Sequence, residues 1–456
     1  MVYSALRGTR RWDAGRVEDP VRREVHAREP LDVLVISHVC PFPTTHGNRS
    51  RLLTLLSWLK ERGFRVRFIL QPLDVDDGRG IPDLRALVHQ LVVVPTRRAG
   101  GNAVGKAFQA VKDHLLPSRR RLTSRRPRGA EQTPRKHGEG RAHGAPQPDV
   151  DDWCWDATCH EVQRASRSCR LFAVFSEYVL FSKCLEVVRE SSLRVIDTTE
   201  VFFRNDERFR IPGLAAPAVC SEASEKAALS RADVLIAIQK NDAEALRAAL
   251  PGKRVITVPH TYRKSQLRRA MPDRGVVLFV GSSNPFNVHG MREFLERAWP
   301  LVLQQAPFAR LQVVGSFPQA EVLGRPGTEY VGPLSDDELA RRYQAAHVVI
   351  NPQVAGTGLK IKCVEALSAG CPLVTMAAGA DGIEEGAGRA YLLASDWTEF
   401  SKSVVTMLCN DSARQQLEHE GRLFAERRFS RSAAFAELAT VLDEHLTRWQ
   451  QDDADE

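Results

Sequence analysis

A chain of 456 residues has room for two or three domains with ample core. Its 43% hydrophobic content is that of a soluble globular protein, and no apolar run approaches the ~20 residues that span a bilayer, so no stretch reads as a transmembrane helix. The net charge of +8 is uneven: residues 97–141 hold 13 Lys/Arg against 3 Asp/Glu, more excess charge than the whole chain carries.

Residues 1–30 are charged and lack an apolar h-region, so they read as a ragged extension without a secretory signal. Leu31–His38 is the first expected strand, followed by the loop PFPTTHGNRSR and a helix over Ser50–Arg62 closed by Gly63. RVRFIL and QLVVVP are the next strands. The basic stretch that follows is rich in Pro and Gly and is expected to be a disordered insertion over 97–150. Its charge suits peripheral contact with an anionic membrane. No aromatic residues interleave its arginine runs, which argues against nucleic acid as a partner. LFAVFS, LRVIDT, DVLIAI and RVITVPH complete an alternation of strands and helices over 31–262. A polar linker leads to a second alternation over 263–428: VVLFVG, a helix over Met291–Gln305, RLQVVG, TEYVG, a helix over Ser335–Ala345, VVI, PLVT and AYLLA, then a helix over Thr398–Leu408. A tail over 429–456 holds a last helix from Ser430 to Gln450. The expected fold class is therefore α/β, with two Rossmann-like doubly wound parallel sheets facing a cleft.

The nine cysteines are odd in number and scattered, which favours free thiols in a reducing cytosol. One local cluster, Cys154, Cys159, His160 and Cys169, lacks the C-x2-C or H-x3-H pair of a zinc site, so no metal and no cofactor are expected. The loop after the first strand carries one glycine, not G-x-G-x-x-G, and no GK[ST] ending occurs, which excludes a dinucleotide or P-loop fingerprint.

The densest stretch is Val348–Gly382: a buried strand, the loop AGTG, a helix, the strand PLVT and the loop AAGADG. Such a βαβ unit aims unpaired helix N–H groups at whatever sits above the strand ends, which suits a phosphate. Glu365, roughly two turns past the loop, is placed to reach a sugar hydroxyl. Four further strand-end loops carry small or polar groups: Gly47 and Arg51; Asp197, Thr198, Thr199, Glu200 and Arg204; Gly281, Ser282, Asn284 and Asn287; Gly315 and Ser316. Five such loops on two sheets suggest a cleft for a polyhydroxylated, anionic ligand.

GTGLKIKCVEALSAGCPLVT with GADGI after it resembles the donor-site signature of glycosyltransferase family 4, among the group 1 glycosyltransferases. FVGSSNPFNVHG and the helix after it resemble the start of that family's C-terminal domain, and ALSRADVLIAI its domain-closing segment. The resemblance implies the B-type glycosyltransferase fold, with acceptor on the first domain and nucleotide-sugar on the second. It implies a retaining, metal-independent transfer from a nucleotide-diphosphate sugar to a glycan or lipid-linked acceptor, as in cell-surface polysaccharide synthesis. Glu365 matches the ribose-binding glutamate of the family's E-x7-E motif, and Gly356, Gly358 and Leu359 would lie along the diphosphate with Gly281 and Asn287 opposite. Lys360 would neutralise the leaving phosphate, and the family's Arg/Lys pair near the diphosphate is not evident in GSSNPFNVHG, with Lys360 or Lys362 as the substitute. Gly47 would let the backbone approach the phosphates, and Arg51 matches a family arginine. Thr357 is expected in the donor loop, and Asp197 and Thr199, with Gly47 and Arg51, at the acceptor or phosphate. The departures are Thr357, where the first glutamate of E-x7-E is expected, and Thr199 and Glu200, which stand for a histidine and an aspartate after Asp197. Lys360 and Glu200 are the catalytic candidates. The alternatives are a non-catalytic binding protein and a nucleotide-sugar 2-epimerase on the same fold.

Overall fold

The computed structural model describes residues 29–44, 47–73, 79–95, 149–204, 219–261, 272–356 and 358–455. The N-terminal extension, nearly all of the basic insertion and Thr357 lie outside the described residues.

Seven strands form the first sheet: β1 Asp32–Ser37, β2 Arg65–Leu70, β3 Gln90–Val93, β4 Leu171–Glu177, β5 Leu193–Thr198, β6 Val234–Ala237 and β7 Arg254–Thr257. Their order is β3-β2-β1-β4-β5-β6-β7 and every pairing is parallel. Six more, β8 Val276–Val280, β9 Arg310–Val314, β10 Thr328–Gly332, β11 Val348–Asn351, β12 Leu373–Met376 and β13 Leu392–Ala394, form a second parallel sheet ordered β10-β9-β8-β11-β12-β13. Both orders reverse direction beside the first strand of the sheet, at β1/β4 and at β8/β11, and ligands of such sheets bind at the carboxyl ends beside that switch. The central strands read as continuous apolar runs because both faces are covered. Along β8, Val277 and Phe279 enter one core while Val276 and Leu278 enter the other.

The helices that position the site are α1 Gly47–Glu61, α2 Lys240–Ala249, α3 Pro285–Arg297, α4 Trp299–Gln305, α5 Asp336–Ala345, α6 Ile361–Ser368 and α7 Trp397–Cys409, with α8 Asp411–Phe429 and α9 Ala436–Asp455 at the end of the chain. Three expectations are corrected. Helix α1 begins at Gly47 rather than Ser50. The helix expected over Met291–Gln305 starts at Pro285, capped by the Asn284 side chain accepting from the Phe286 N–H at 2.9 Å. It breaks at Ala298, because Pro300 lacks the N–H that would continue the ladder. Helix α8 was not anticipated: its sequence is charged and carries Gly421 in its interior. A Cβ at 421 would lie 3.0 Å from the Ala390 carbonyl and 3.2 Å from Leu367, so the glycine lets α8 press against α6.

The tail helix α9 returns to the first sheet. Phe435, just before it, stacks on Trp58 with centroids 4.6 Å apart, and Trp449 meets Phe172 edge-on at 5.5 Å. His445 Nε2 lies 3.0 Å from the Phe172 carbonyl, and Arg62–Asp443 and Arg254–Glu444 ion pairs flank the seam. Among the described residues, no helix is long and apolar enough to cross a membrane.

Candidate functional site at the facing strand ends

The second sheet contributes the loop between β11 and α6. Gly356 and Gly358 hold φ of +94° and +92°, where side chains are rarely tolerated, so the chain turns twice in three residues. Lys360 then caps α6, and its ammonium folds back over this loop, donating to the Gly358 carbonyl at 2.6 Å and the Gly356 carbonyl at 3.4 Å. Leu359 is buried and anchors the loop in the core beneath. Thr357, expected beside the donor, lies outside the described residues.

Glu365 faces outward from the middle of α6 and is partly buried. Burial raises its carboxyl to about 7, and a 2.9 Å hydrogen bond from the Tyr343 hydroxyl opposes that rise. Tyr343 is buried on α5, so the bond fixes Glu365 from a neighbouring helix. Lys362, on the same helix, donates to Asn287 Oδ1 at 2.7 Å and sits 4.6 Å from the centre of the Phe279 ring. Burial lowers its ammonium to about 8. The Asn287 amide in turn reaches the Ser282 carbonyl at 3.3 Å. Gly281 and Gly315 back onto each other here. A Cβ on Gly315 would lie 2.3 Å from the Gly281 carbonyl, and one on Gly281 would lie 2.6 Å from the Phe279 ring. Lys362 thus joins α6 to the N-terminal turn of α3 that follows β8.

Asp381, in the loop after β12, was not singled out by the sequence and is the junction of the two sheets. It accepts from the Gly358 N–H, from Asn241 Nδ2 at 2.9 Å and from Gln239 Nε2 at 3.2 Å. Burial would raise its carboxyl, but the nearby Lys360 charge and these donors outweigh that and hold it below the usual range. The Gly358 N–H, expected to be open toward a diphosphate, is therefore occupied by Asp381 in this arrangement.

The first sheet presents a different chemistry. Arg51 and Asp197 form a buried two-pronged pair, Nη2 to Oδ1 at 2.8 Å and Nε to Oδ2 at 3.1 Å, and Arg51 also donates to the Val258 carbonyl at 2.7 Å. Both were expected at the phosphate or acceptor; each is instead taken up by the other, tying α1 to β5 and the end of β7. Glu177 ends β4 in register with Asp197. Neither of its oxygens has a partner among the described residues. Burial, then the Asp197 charge, raise it well above the usual carboxylate range against the pull of Arg51. Tyr178 follows with φ +62°, the one positive φ at a non-glycine residue among the described residues. His38, at the end of β1, packs 4.9 Å from the Tyr178 ring, and burial lowers it to about 3. The Thr199 hydroxyl is buried with no partner among the described residues. The Glu200 carboxylate lies near Tyr178 and Glu225 and raises both.

The two strand-end surfaces meet directly. A Cβ on Gly47 would lie 1.9 Å from the Ile361 side chain, so the first residue of α1 abuts the first residue of α6. Thr44 Oγ1 donates to Asp336 at 2.7 Å, and Asn241 donates to Glu384 at 2.9 Å. Gly47, expected to let the backbone approach the phosphates, here packs against the Ile361 side chain. Glu177, Tyr343 and Asp381 could not be found by local spacing, because their partners lie on other elements; an acid closing the apolar run LFAVFS was the one available signal.

Residues 274–410 match the family model described as glycosyl transferases group 1, and the stretch GTGLKIKCVEALSAGCPLVT lies inside the matched range. A Klebsiella pneumoniae protein described as an uncharacterized 44.6 kDa protein in the cps region is 25% identical over 218 residues, 45% of this chain; the chain spans about half of that relative, 55% of its length. The fold is that of a sucrose-phosphate synthase from Thermosynechococcus elongatus, with TM-score 0.64 and 16% identity over 92% of this chain and 100% of that one. An Anabaena protein, HepE, solved with UDP and glucose, aligns with TM-score 0.57 and 14% identity over 91% of this chain and 100% of its own. The B-type glycosyltransferase fold implied by the sequence is thus the fold of this chain.

Proposed function

We propose that this chain is a retaining glycosyltransferase that moves a sugar from a nucleotide-diphosphate donor on the second sheet to a glycan or lipid-linked acceptor on the first, in polysaccharide synthesis. The observation that carries the reading is helix α6. It presents Lys360, Lys362 and the fixed carboxyl of Glu365 within six residues, opposite the N-terminus of α1.

The chemistry follows from these groups. The ionised Glu365 accepts hydrogen bonds from the ribose hydroxyls. Charge that grows on the departing diphosphate meets the Lys362 ammonium, in a partly desolvated position where it counts for more than in water, and then Lys360. Two fixed lysines supply the positive charge that a divalent cation would otherwise bring, so transfer is expected without added metal. Asp381 gives up the Gly358 N–H as the diphosphate arrives, which also loosens its link to Asn241 and Gln239 on the first sheet. Donor binding and domain opening are coupled through that carboxylate, alongside the Asn241–Glu384 and Thr44–Asp336 contacts that it does not touch. On the acceptor side, burial favours the protonated form of Glu177, which in that form would donate to an acceptor or sugar oxygen, and Tyr178 follows it with φ of +62°. Contact of the basic insertion with anionic membrane would bring a lipid-linked acceptor to this side. The relative from a cps region supports a polysaccharide setting.

The test is nucleoside diphosphate release from a panel of UDP-, GDP- and ADP-sugars, with and without acceptor, in the presence of EDTA. Release that requires acceptor and survives EDTA supports the reading. Binding without release under any pairing would replace it with a non-catalytic binding protein, and conversion of the donor sugar without acceptor would replace it with an epimerase.

A further inference from the structure

Three cysteines converge at the edge of the first sheet. Cys154 closes the short 3-10 turn Val150–Trp153 where the described chain resumes after residue 148. Cys159 lies in the helix Asp156–Ser168, and Cys184 in the 3-10 stretch Val179–Val187 that follows Tyr178. Their sulfurs form a nearly equilateral triangle: 3.3 Å for Cys154–Cys184, and 3.6 Å for each of the other two pairs. All three side chains are buried. His160 and Cys169, their neighbours in sequence, stand apart: His160 is exposed and Cys169 donates to the Ala165 carbonyl. The third thiol of the cluster comes from another element, which is why sequence spacing gave no zinc pattern.

We propose that Cys154, Cys159 and Cys184 form a structural binding site for a thiophilic divalent cation of the zinc class. Thiolates at about 2.3 Å from a tetrahedral zinc stand about 3.8 Å from one another, so this triangle closes around the ion with shifts of a few tenths of an ångström. A disulfide uses two sulfurs at about 2.05 Å and strands the third, so it does not account for a three-fold arrangement. Three thiolates around a divalent ion leave one net negative charge. Lys183, adjacent to Cys184, supplies the compensating cation: its charge acts on Cys154 and Cys159, and its ammonium reaches Asp156 at 3.3 Å. The fourth position of a tetrahedral ion falls to water. The site lies away from α6 and takes no part in transfer. It pins the segment entering from residue 149 to the stretch after Glu177 and Tyr178, so it would stabilise the acceptor side.

The experiment uses the full chain, purified under reducing conditions, stripped with chelator, and titrated with zinc or cobalt while metal content and the cobalt spectrum are read. The expected result is about one metal per chain, thiolate-to-cobalt charge-transfer absorption, and a rise in Tm with zinc. Cys159→Ser and Cys184→Ser should each weaken binding by more than ~10-fold, since even outer-shell partners of a metal cost that much. Cys220→Ser and Cys409→Ser should bind as the parent does. If the buried variants fail to fold, zinc should still protect three of the nine cysteines of the parent chain from a thiol reagent. Substoichiometric metal without protection, metal retained in Cys184→Ser, or a Cys154–Cys184 disulfide in the reduced preparation would each overturn the proposal. None of these readouts depends on transferase activity.

Discussion

The strand-end loops of the two sheets face each other and are built on opposite principles. On the second sheet, glycines at positive φ and two lysines shape a cationic loop whose polar groups have partners: Lys360 on its own loop, Lys362 on Asn287, Glu365 on Tyr343. On the first sheet, acids and histidines are buried, and Glu177 and His38 have no hydrogen-bond partner among the described residues. A buried polar group without a partner costs roughly 1–3 kcal/mol, so a surface that keeps several is shaped for something other than its own stability. On the proposed reading, the second sheet would hold its ligand by prearranged charge and the first would take one that completes its hydrogen bonds.

The largest effect should come from charge at the donor side. Lys362→Ala is expected to lower kcat ~10²–10³-fold, the range seen when one donor to developing negative charge is removed. A comparable loss on Lys360→Ala but not on Lys362→Ala would reverse the ranking of the two lysines. Arg51→Met should instead act on stability. Removing one member of the buried pair leaves Asp197 uncompensated beside Glu177, a cost of ~3–5 kcal/mol readable by urea titration. An unchanged unfolding midpoint would mean that the pair is not what holds α1 to β5. Asp381→Asn is expected to have a smaller effect of opposite sign. With a weaker acceptor on the Gly358 N–H, nucleoside diphosphate should bind severalfold tighter; weaker binding would show that Asp381 supports the ligand rather than competing with it.

The pH dependence sharpens the same contrast. Burial raises Glu365 to about 7 and lowers Lys362 to about 8. A ribose-binding carboxylate must be ionised and a phosphate-binding lysine protonated. Nucleoside diphosphate affinity should therefore peak between pH 7 and 8, falling as Glu365 gains a proton below and as Lys362 loses one above. Stability runs the other way for Glu365. Its folded pKa exceeds the unfolded value, so between about 4.5 and 7 the folded state binds the extra proton and this group's contribution falls as pH rises. Tyr343→Phe removes the bond that holds Glu365 down and should move the acidic limb of the affinity profile upward; an unmoved limb would assign that limb to another group.

Periodicity made the sheets legible. RVRFIL, LRVIDT and TEYVG are the observed strands to the residue; the first two are short runs whose apolar residues are buried in the sheet, and TEYVG is an edge strand set off by Gly327 and Gly332. Helix α8 escaped for a physical reason: Gly421 and a charged face hide a helix whose packing is specified by α6 and not by its own propensity. The donor loop was legible because Gly356, Gly358, Lys360 and Glu365 lie within ten residues of one another. Lys362 was underweighted, since its partner Asn287 is 75 positions away. Glu177 beside Asp197, Tyr343 beneath Glu365 and Asp381 between the sheets become neighbours only once the strand order is known.

The central claim is that helix α6 grips the nucleotide through Glu365. Calorimetric titration of UDP, GDP and ADP into the full chain and into Glu365→Ala at pH 7.5 tests it directly. The account predicts that at least one diphosphate binds the parent chain and binds the variant ~10–100-fold more weakly, the worth of hydrogen bonds to a charged group. Equal affinity in a variant with an unchanged unfolding midpoint would contradict it.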